Sequence, residues 1–482
     1  MKVTIGLDFG TYQTKVCLRV IRNDTTEEFH FVTFDKDSSD TFFFRSAVHV
    51  KNNRFLFGEI SESVEKSFHF FKIASAEDIE FRKVSKQKDI QYEESKFAPY
   101  TPELLSVLYL TSVILQSKKF IEDKVKQNKR VAKPTSFLSR FISSKEEKEE
   151  TEYFVQLGIP TEYHREINIQ RRKKFELILL LAKRVSDNLT HNELQEKSCD
   201  EIINLVSAEL KVVKLGDQSQ WTELLESEVV SVMPESAAGL SYLVGTGKIT
   251  KESHCISVDI GGGSTDISYF KVESNRTFTY LASESILIAC NNIYKNYAGS
   301  ISEELDIEGA MNQLHDHLHI SNDETYAESF QITLRKINRL IKNIYNGRIY
   351  RKFMHGKARE NFTEATCYLF GGGSTLPMPN INPDRIFKEV LLYDGGVNDS
   401  FDTSDHIIAS VENVEGLTPT IYITNKGWEQ HLPMLVVALG LSLNKPADLF
   451  AKWNELEYQR NEQYVTKEED PGLYDIFNRI WV

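Results

Sequence analysis

The chain is poor in the features that mark several large classes of protein. Its 482 residues hold five cysteines (Cys17, Cys199, Cys255, Cys290 and Cys367), and no two are spaced Cys-x-x-Cys. An odd, scattered set excludes a disulfide framework or a cysteine zinc site as the organising device and suits reduced thiols. Basic charge is in deficit, with 57 Lys and Arg against 70 Asp and Glu and a net charge of −13. A surface that holds nucleic-acid phosphates needs the opposite sign, so no nucleic-acid partner is expected. Long apolar runs are missing as well: Leu177 to Ala182 is far too short to cross a bilayer and is flanked by charge. The N-terminus enters a strand pattern at once, without the basic and apolar regions of a leader. These absences lead to the expectation of a cytoplasmic chain with no membrane partner.

What is present is concentrated in glycine turns. Ile256-Ser257-Val258-Asp259-Ile260-Gly261-Gly262-Gly263-Ser264-Thr265-Asp266-Ile267-Ser268 reads as strand, turn, strand, with an Asp on either side of three glycines. Glycines let backbone N–H groups approach an anion without a Cβ in the way. Two aspartates beside a phosphate make electrostatic sense only with a divalent cation between, Mg²⁺ with its waters being the usual one. Because a strand follows the turn, this is not a P-loop, whose glycines lead into a helix.

The same grammar opens the chain. In Ile5-Gly6-Leu7-Asp8-Phe9-Gly10-Thr11-Tyr12-Gln13-Thr14-Lys15-Val16, Asp8 matches Asp259, Gly10 matches Gly261 and Thr14 matches Thr265, while Lys15 falls opposite Asp266. The repeat recurs after about half the chain, which reads as duplication of one supersecondary unit. Two such turns facing each other would clamp one polyphosphate from both sides. A third turn, Tyr368-Leu369-Phe370-Gly371-Gly372-Gly373-Ser374-Thr375, follows another strand, and Met233-Pro234-Glu235-Ser236-Ala237-Ala238-Gly239 opens a small-residue helix.

In this order the four motifs resemble the actin/Hsp70/sugar-kinase ATPases, and most closely the Hsp70 nucleotide-binding domain. The resemblance implies an α/β, two-lobed actin-like ATPase fold of duplicated ribonuclease-H-like domains with smaller inserted subdomains. It implies ATP or ADP with Mg²⁺ as ligands and a slow ATPase acting as a conformational switch or chaperone-related regulator. Asp8 and Asp259 would orient the metal's waters, with Glu235 a further outer carboxylate. Gly10, Thr11, Tyr12 and Gln13 on one side, and Gly261, Gly262, Gly263 and Ser264 on the other, would hold the β- and γ-phosphates. Gly371, Gly372, Gly373 and Ser374 would lie against the adenosine. Lys72 aligns with the family lysine that reaches the γ-phosphate and attacking water. Asp266, Asp259 or Glu235 would orient that water, and the sequence does not choose among the three.

The same resemblance sets expected boundaries. A first lobe would cover 1–240, with a small subdomain near 36–99 and insertions near 118–150 and 161–232. A second would cover 241–433, with a small helical subdomain near 291–361, and 434–482 would pack back on the first lobe. The charged stretch from Lys118 to Glu150 reads as a solvated insertion, and Arg171-Arg172-Lys173-Lys174 as a solvated helix start. Thr101-Pro102-Glu103 has the order of a helix N-terminus: cap, proline, acid. Ser285 to Tyr297 reads as helix. His315 and His319 could share a helical face, but a solvated segment is the simpler reading. The stretch Leu334 to Asn343 has no counterpart of the family's adenine-side Glu. After Asn444 too little chain remains for the family's peptide-binding domain, so the inserted segments are the expected route to a protein partner. An actin-like filament-forming ATPase and a small-molecule kinase remain the alternatives.

Overall fold

The computed structural model describes residues 1–22, 26–34, 42–58, 60, 63–76, 97–131, 151–165, 168–215, 221–245, 252–274, 277–286, 366–371 and 432–443, with a few isolated positions elsewhere. Within these residues the chain is mixed α/β, and each of its two larger sheets grows from a hairpin. In the first, Lys2–Phe9 (β1) and Gln13–Arg22 (β2) pair antiparallel, with Asp8 directly opposite Lys15. Thr26–Phe31 (β3) adds to the far side of β2. On the other side of β1 lie Glu152–Ile159 (β8) and then Val230–Pro234 (β9), both parallel. The order is β3-β2-β1-β8-β9, with the short Phe44–Arg45 (β4) on the end of β2.

The second sheet repeats this arrangement. His254–Ile260 (β10) and Thr265–Val272 (β11) form its hairpin, and Asp259 stands opposite Asp266. Phe278–Ile286 (β12) flanks β11, and Thr366–Phe370 (β13) runs parallel to β10, giving β12-β11-β10-β13. The register Asp8–Lys15 therefore recurs as Asp259–Asp266. The duplication read from the sequence is also one of strand order and direction.

A third, smaller sheet follows the order β6-β5-β7, from Ala47–Lys51 (β5), Arg54–Phe57 (β6) and Lys66–His69 (β7). Asn52 and Asn53 turn between β5 and β6 with φ of 51° and 57°, the left-handed region that asparagine tolerates best among non-glycines. The helices Phe71–Ala76 (α1) and Pro102–Val131 (α2) come next. Thr101 caps α2, its hydroxyl accepting the Leu104 N–H at 3.1 Å. Residues 102–124 of α2 are long and apolar enough to span a bilayer, and most of that length is buried inside the protein.

Three expectations change here. Residues 118–131 continue α2 instead of starting a loop. Lys, Glu and Gln are good helix formers, and Ile121 keeps the apolar stripe buried. Lys118 Nζ reaches Asp187 Oδ1 at 2.7 Å at the end of Ile169–Asp187 (α3). Second, α3 opens the helical connection from β8 to β9 as a core helix, with Leu177 through Ala182 all fully buried. Its basic start is engaged, Arg172 with Glu176 at 3.4 Å, Lys174 with Glu103 at 3.8 Å and Arg171 over the Tyr163 ring. The added helices are His191–Glu196 (α4), Cys199–Leu215 (α5) and Trp221–Ser227 (α6). Third, Ser285 and Ile286 belong to β12, where Ser285 pairs with Asp266. There the pairing with β11 continues as far as Thr265 opposite Ile286, so the chain is still strand at these two residues.

Glu235–Gly245 (α7) leads from β9 to the second sheet, and Leu432–Leu443 (α8) packs between α7 and the first sheet. A Cβ on Gly440 would collide with Ala238 O, and one on Gly6 of β1 would stand 2.5 Å from Ala438 O. Small residues in both helices thus let backbone lie on backbone. Gly372, Gly373, Ser374, the 334–343 stretch, His315, His319, residues 132–150 and everything after 443 lie outside the described residues.

Candidate functional site

The site lies where the two hairpin turns meet. In each hairpin four residues separate the last paired positions, Phe9 and Thr14 in the first and Ile260 and Thr265 in the second. A Cβ on Gly262 would stand 2.8 Å from Tyr12 Cβ, and one on Gly263 would stand 2.9 Å from Thr11 Cγ2 and overlap Ile73. The turns therefore touch, and only glycine permits it at these two positions. The second turn is closed by Gly261 N–H donating to Ser264 O at 2.9 Å. The first is braced from the small-sheet side. Ser46 Oγ donates to Gly10 O at 2.7 Å, Ser46 N–H donates to Tyr12 O at 2.8 Å, and the Arg45 guanidinium lies over the Tyr12 ring, 3.8 Å from its centre.

Behind the first turn an aromatic cluster fixes the next piece. Phe9, Phe44 and Phe71 surround Tyr109, with ring centres 5.5–5.6 Å from it. Phe70, held at φ 59°, makes the sharp step from β7 into α1. That step delivers Lys72 to the cleft, where its Nζ lies 3.2 Å from Glu235 Oε1 and 5.6 Å from the centre of the Phe9 ring. Glu235 comes from the start of α7, close over Gly158 of β8, and it is 4% exposed.

Four carboxyl groups and two ammonium groups share this low-dielectric space. Asp8 Oδ2 pairs with Lys15 Nζ at 3.1 Å, and Asp8, Asp266 and Glu235 are all buried. Burial pushes the Asp259 carboxyl well above the usual carboxylate range, and the neighbouring Glu235, Asp8 and Asp266 push it the same way. Burial and Glu235 likewise raise Asp266 to about 7, opposed by a hydrogen bond from Ser285 and by Lys72. Burial raises Glu235 too, with Lys72 pulling the other way. For Lys72 burial alone would favour the neutral amine, but Glu235, Asp8 and Asp266 outweigh it and hold the ammonium above its ordinary range. The cluster thus carries more acid than its two lysines can neutralise, and Asp266 Oδ1 is buried with no hydrogen-bond partner. A cation bound beside this unsatisfied buried oxygen would have to displace protons from carboxyl groups held above their ordinary range.

Among the described residues, no group of three or more His, Cys, Asp or Glu converges tightly enough to ligate an ion directly. Gly371 closes the far side at φ 88°, with its backbone so near Asp259 Oδ1 that a Cβ would overlap it. Asp8, Lys72, Glu235, Asp259 and Asp266 are thus brought together, with Thr11, Tyr12, Gly262 and Gly263 at the junction of the turns. Reading the sequence missed Lys15 as the counter-ion of Asp8, although its position opposite Asp266 in the repeat was the available signal. Glu162 and Ser285, next to Asp266, carried no motif.

No protein-family profile and no curated protein matches the chain. Many solved structures are similar in arrangement. One of them, described as a pCBH ParM non-polymerisable quadruple mutant, is 12% identical with a TM-score of 0.40, over 92% of this chain and 98% of that one.

Proposed function

We propose that the protein binds Mg²⁺ and a nucleoside triphosphate between its two hairpin turns and hydrolyses it slowly, as a conformational switch of actin-like architecture. The observation that carries this reading is the acid cluster at the junction of two register-matched hairpins, with Lys72 and Glu235 between them. Bound there, Mg²⁺ would neutralise phosphate charge and supply ordered waters.

The chain's own groups then have separable tasks. Thr11, Tyr12, Gln13 and Gly261–Ser264 offer backbone N–H groups and hydroxyls to phosphate oxygens. Lys72, kept cationic by the surrounding acids, stabilises charge developing on the transferred phosphoryl group. Asp266, poised near neutrality, is the best placed of the three carboxylates to hold and accept a proton from the attacking water. Loss of the terminal phosphate removes the ligand that both turns share, which lets the lobes part.

Within that class an Hsp70-like reading is favoured by the Lys72–Glu235 pair, the lysine arriving from the small-sheet side. ATP as the nucleotide, a chaperone-related role and a protein partner reached through α4–α6 belong to the same proposal. Calorimetry with ATP, ADP and GTP in Mg²⁺ and in EDTA, followed by steady-state phosphate release, tests it. Metal-dependent binding with slow release is expected. Absence of binding to every nucleotide overturns it.

A further inference from the structure

Outside the acid cluster, one side chain of the first lobe holds the backbone of the second. Glu162 lies in the short 3-10 turn Thr161–His164, directly after β8 and Pro160. Its Oε2 accepts the backbone N–H of Ser285 at 2.8 Å, across 123 positions of sequence. Ser285 sits in β12, the flanking strand of the second sheet, at the position paired with Asp266. As cross-strand partners on adjacent antiparallel strands, the Ser285 and Asp266 side chains project from the same face of the sheet. One residue of β12 therefore stands beside Asp266 in the sheet and is held by the opposite lobe through its backbone.

The anchor is firm on the Glu162 side. Its carbonyl accepts from Asn168 Nδ2 and from the Arg165 N–H, both at 3.1 Å. The turn is thereby pinned. On the other side, a strand-edge N–H without an acceptor would be costly, and a charged acceptor makes the stronger bond.

We propose that Glu162 is a latch between the lobes and a positioning residue for Asp266, tightening when a cation occupies the acid cluster and slackening when it leaves. A neutral acceptor could make the same bond without bringing a further negative charge toward Asp266 and Glu235. With a carboxylate, the cost of keeping the latch shut depends on the charge in the cleft. A cation there relieves the repulsion, and by linkage a shut latch favours the cation. The second half of this statement rests on reading the cleft as a cation–nucleotide site; the latch itself does not.

Hydrogen exchange at the Ser285 amide, measured on the full chain, tests both halves. Glu162→Ala is expected to speed Ser285 exchange by about tenfold or more, since a hydrogen bond to a charged acceptor is lost. Glu162→Gln, which keeps an acceptor of the same reach, is expected to restore protection to within about threefold of wild type. Mg²⁺ with ADP is expected to slow Ser285 exchange in the wild type and to leave it unchanged in Glu162→Ala. Release of a fluorescent ADP from Glu162→Ala is expected to be about tenfold faster than from wild type. Equal Ser285 exchange in wild type and Glu162→Ala overturns the latch, whatever nucleotide does. Protection lost in Glu162→Ala, with no response of the wild type to Mg²⁺-ADP, upholds the latch and overturns its link to the cleft. If Glu162→Ala does not fold, Glu162→Asp, one methylene too short to reach, takes its place with the same expectations.

Discussion

Lys72 Nζ and Glu235 Oε1 lie 3.2 Å apart although the two residues are 163 positions apart in the chain. Glu235 is buried and the Lys72 side chain only 11% exposed, so this is not a surface ion pair of negligible worth. Removing the cation strands Glu235, and Lys72→Ala is expected to cost roughly 3 kcal/mol of stability in urea unfolding. Lys72→Met combined with Glu235→Leu is expected to recover most of that loss, because the desolvation cost disappears with both charges. In single-turnover hydrolysis Lys72→Ala is expected to slow the step by about 100-fold, with Mg²⁺-nucleotide affinity changed by less than about fivefold. Single-turnover rates equal to wild type remove Lys72 from the mechanism.

The surplus of acid makes cation binding a protonic event. Burial and mutual repulsion hold Asp259, Glu235 and Asp266 above their ordinary range, Asp266 at about 7. A divalent cation favours the ionised forms and must displace protons. Calorimetry of Mg²⁺-nucleotide binding in two buffers of different ionisation enthalpy is expected to show net proton release at pH 6.5. Affinity is expected to rise with pH toward 8. Proton uptake, or affinity falling over that interval, contradicts the charge count.

Stability of the ligand-free protein follows the opposite course. A carboxyl group whose folded pKa is raised stabilises fully below its unfolded pKa, and that contribution is lost as pH rises through the folded value. For Asp266 the window runs from the ordinary carboxylate range to about 7. Asp266→Asn removes the contribution and is expected to be more stable than wild type at pH 8, by roughly 1–3 kcal/mol. The difference should shrink toward pH 4 in chemical unfolding. The same variant is expected to lose most hydrolysis, since an amide cannot accept the proton.

The glycine contacts give a geometric prediction. Gly371 combines φ 88° with a backbone pressed on Asp259, so Gly371→Ala meets both strain and overlap. Gly262→Ala meets only Tyr12 Cβ at 2.8 Å and can be relieved by a small parting of the turns. Gly371→Ala is therefore expected to be the more destabilising in thermal unfolding. Gly262→Ala is expected to weaken nucleotide binding while leaving stability within about 1 kcal/mol of wild type. The reverse order contradicts the described contact between the turns.

Much of this architecture is legible in the sequence because a tight turn between two strands has few chemical solutions. Asp8-x-Gly10 and Asp259-x-Gly261 announce both hairpins, and strand alternation then fixes which residues face each other across them. The capped start of α2 and the asparagine turn before β6 are local signals of the same kind. What stays hidden depends on distance. Nothing in the charged run after Lys118 shows that Asp187 will meet it, so a continuation of α2 reads as a loop. Leu177 to Ala182 is equally apolar in an inserted helix and in a crossover, and only β8 and β9 on either side decide. Glu162 and Ser285 have no motif, since their relationship exists only once the two sheets lie side by side.

The claim that two turns share one ligand is tested most directly by placing a negative charge in each turn separately. Thr11→Glu and Ser264→Glu should each abolish calorimetric binding of Mg²⁺-ATP, weakening it by more than about 100-fold from a wild-type stoichiometry of about one. If either variant binds with wild-type affinity, or if each removes only part of a larger stoichiometry, the two turns do not grip a common triphosphate and the account fails.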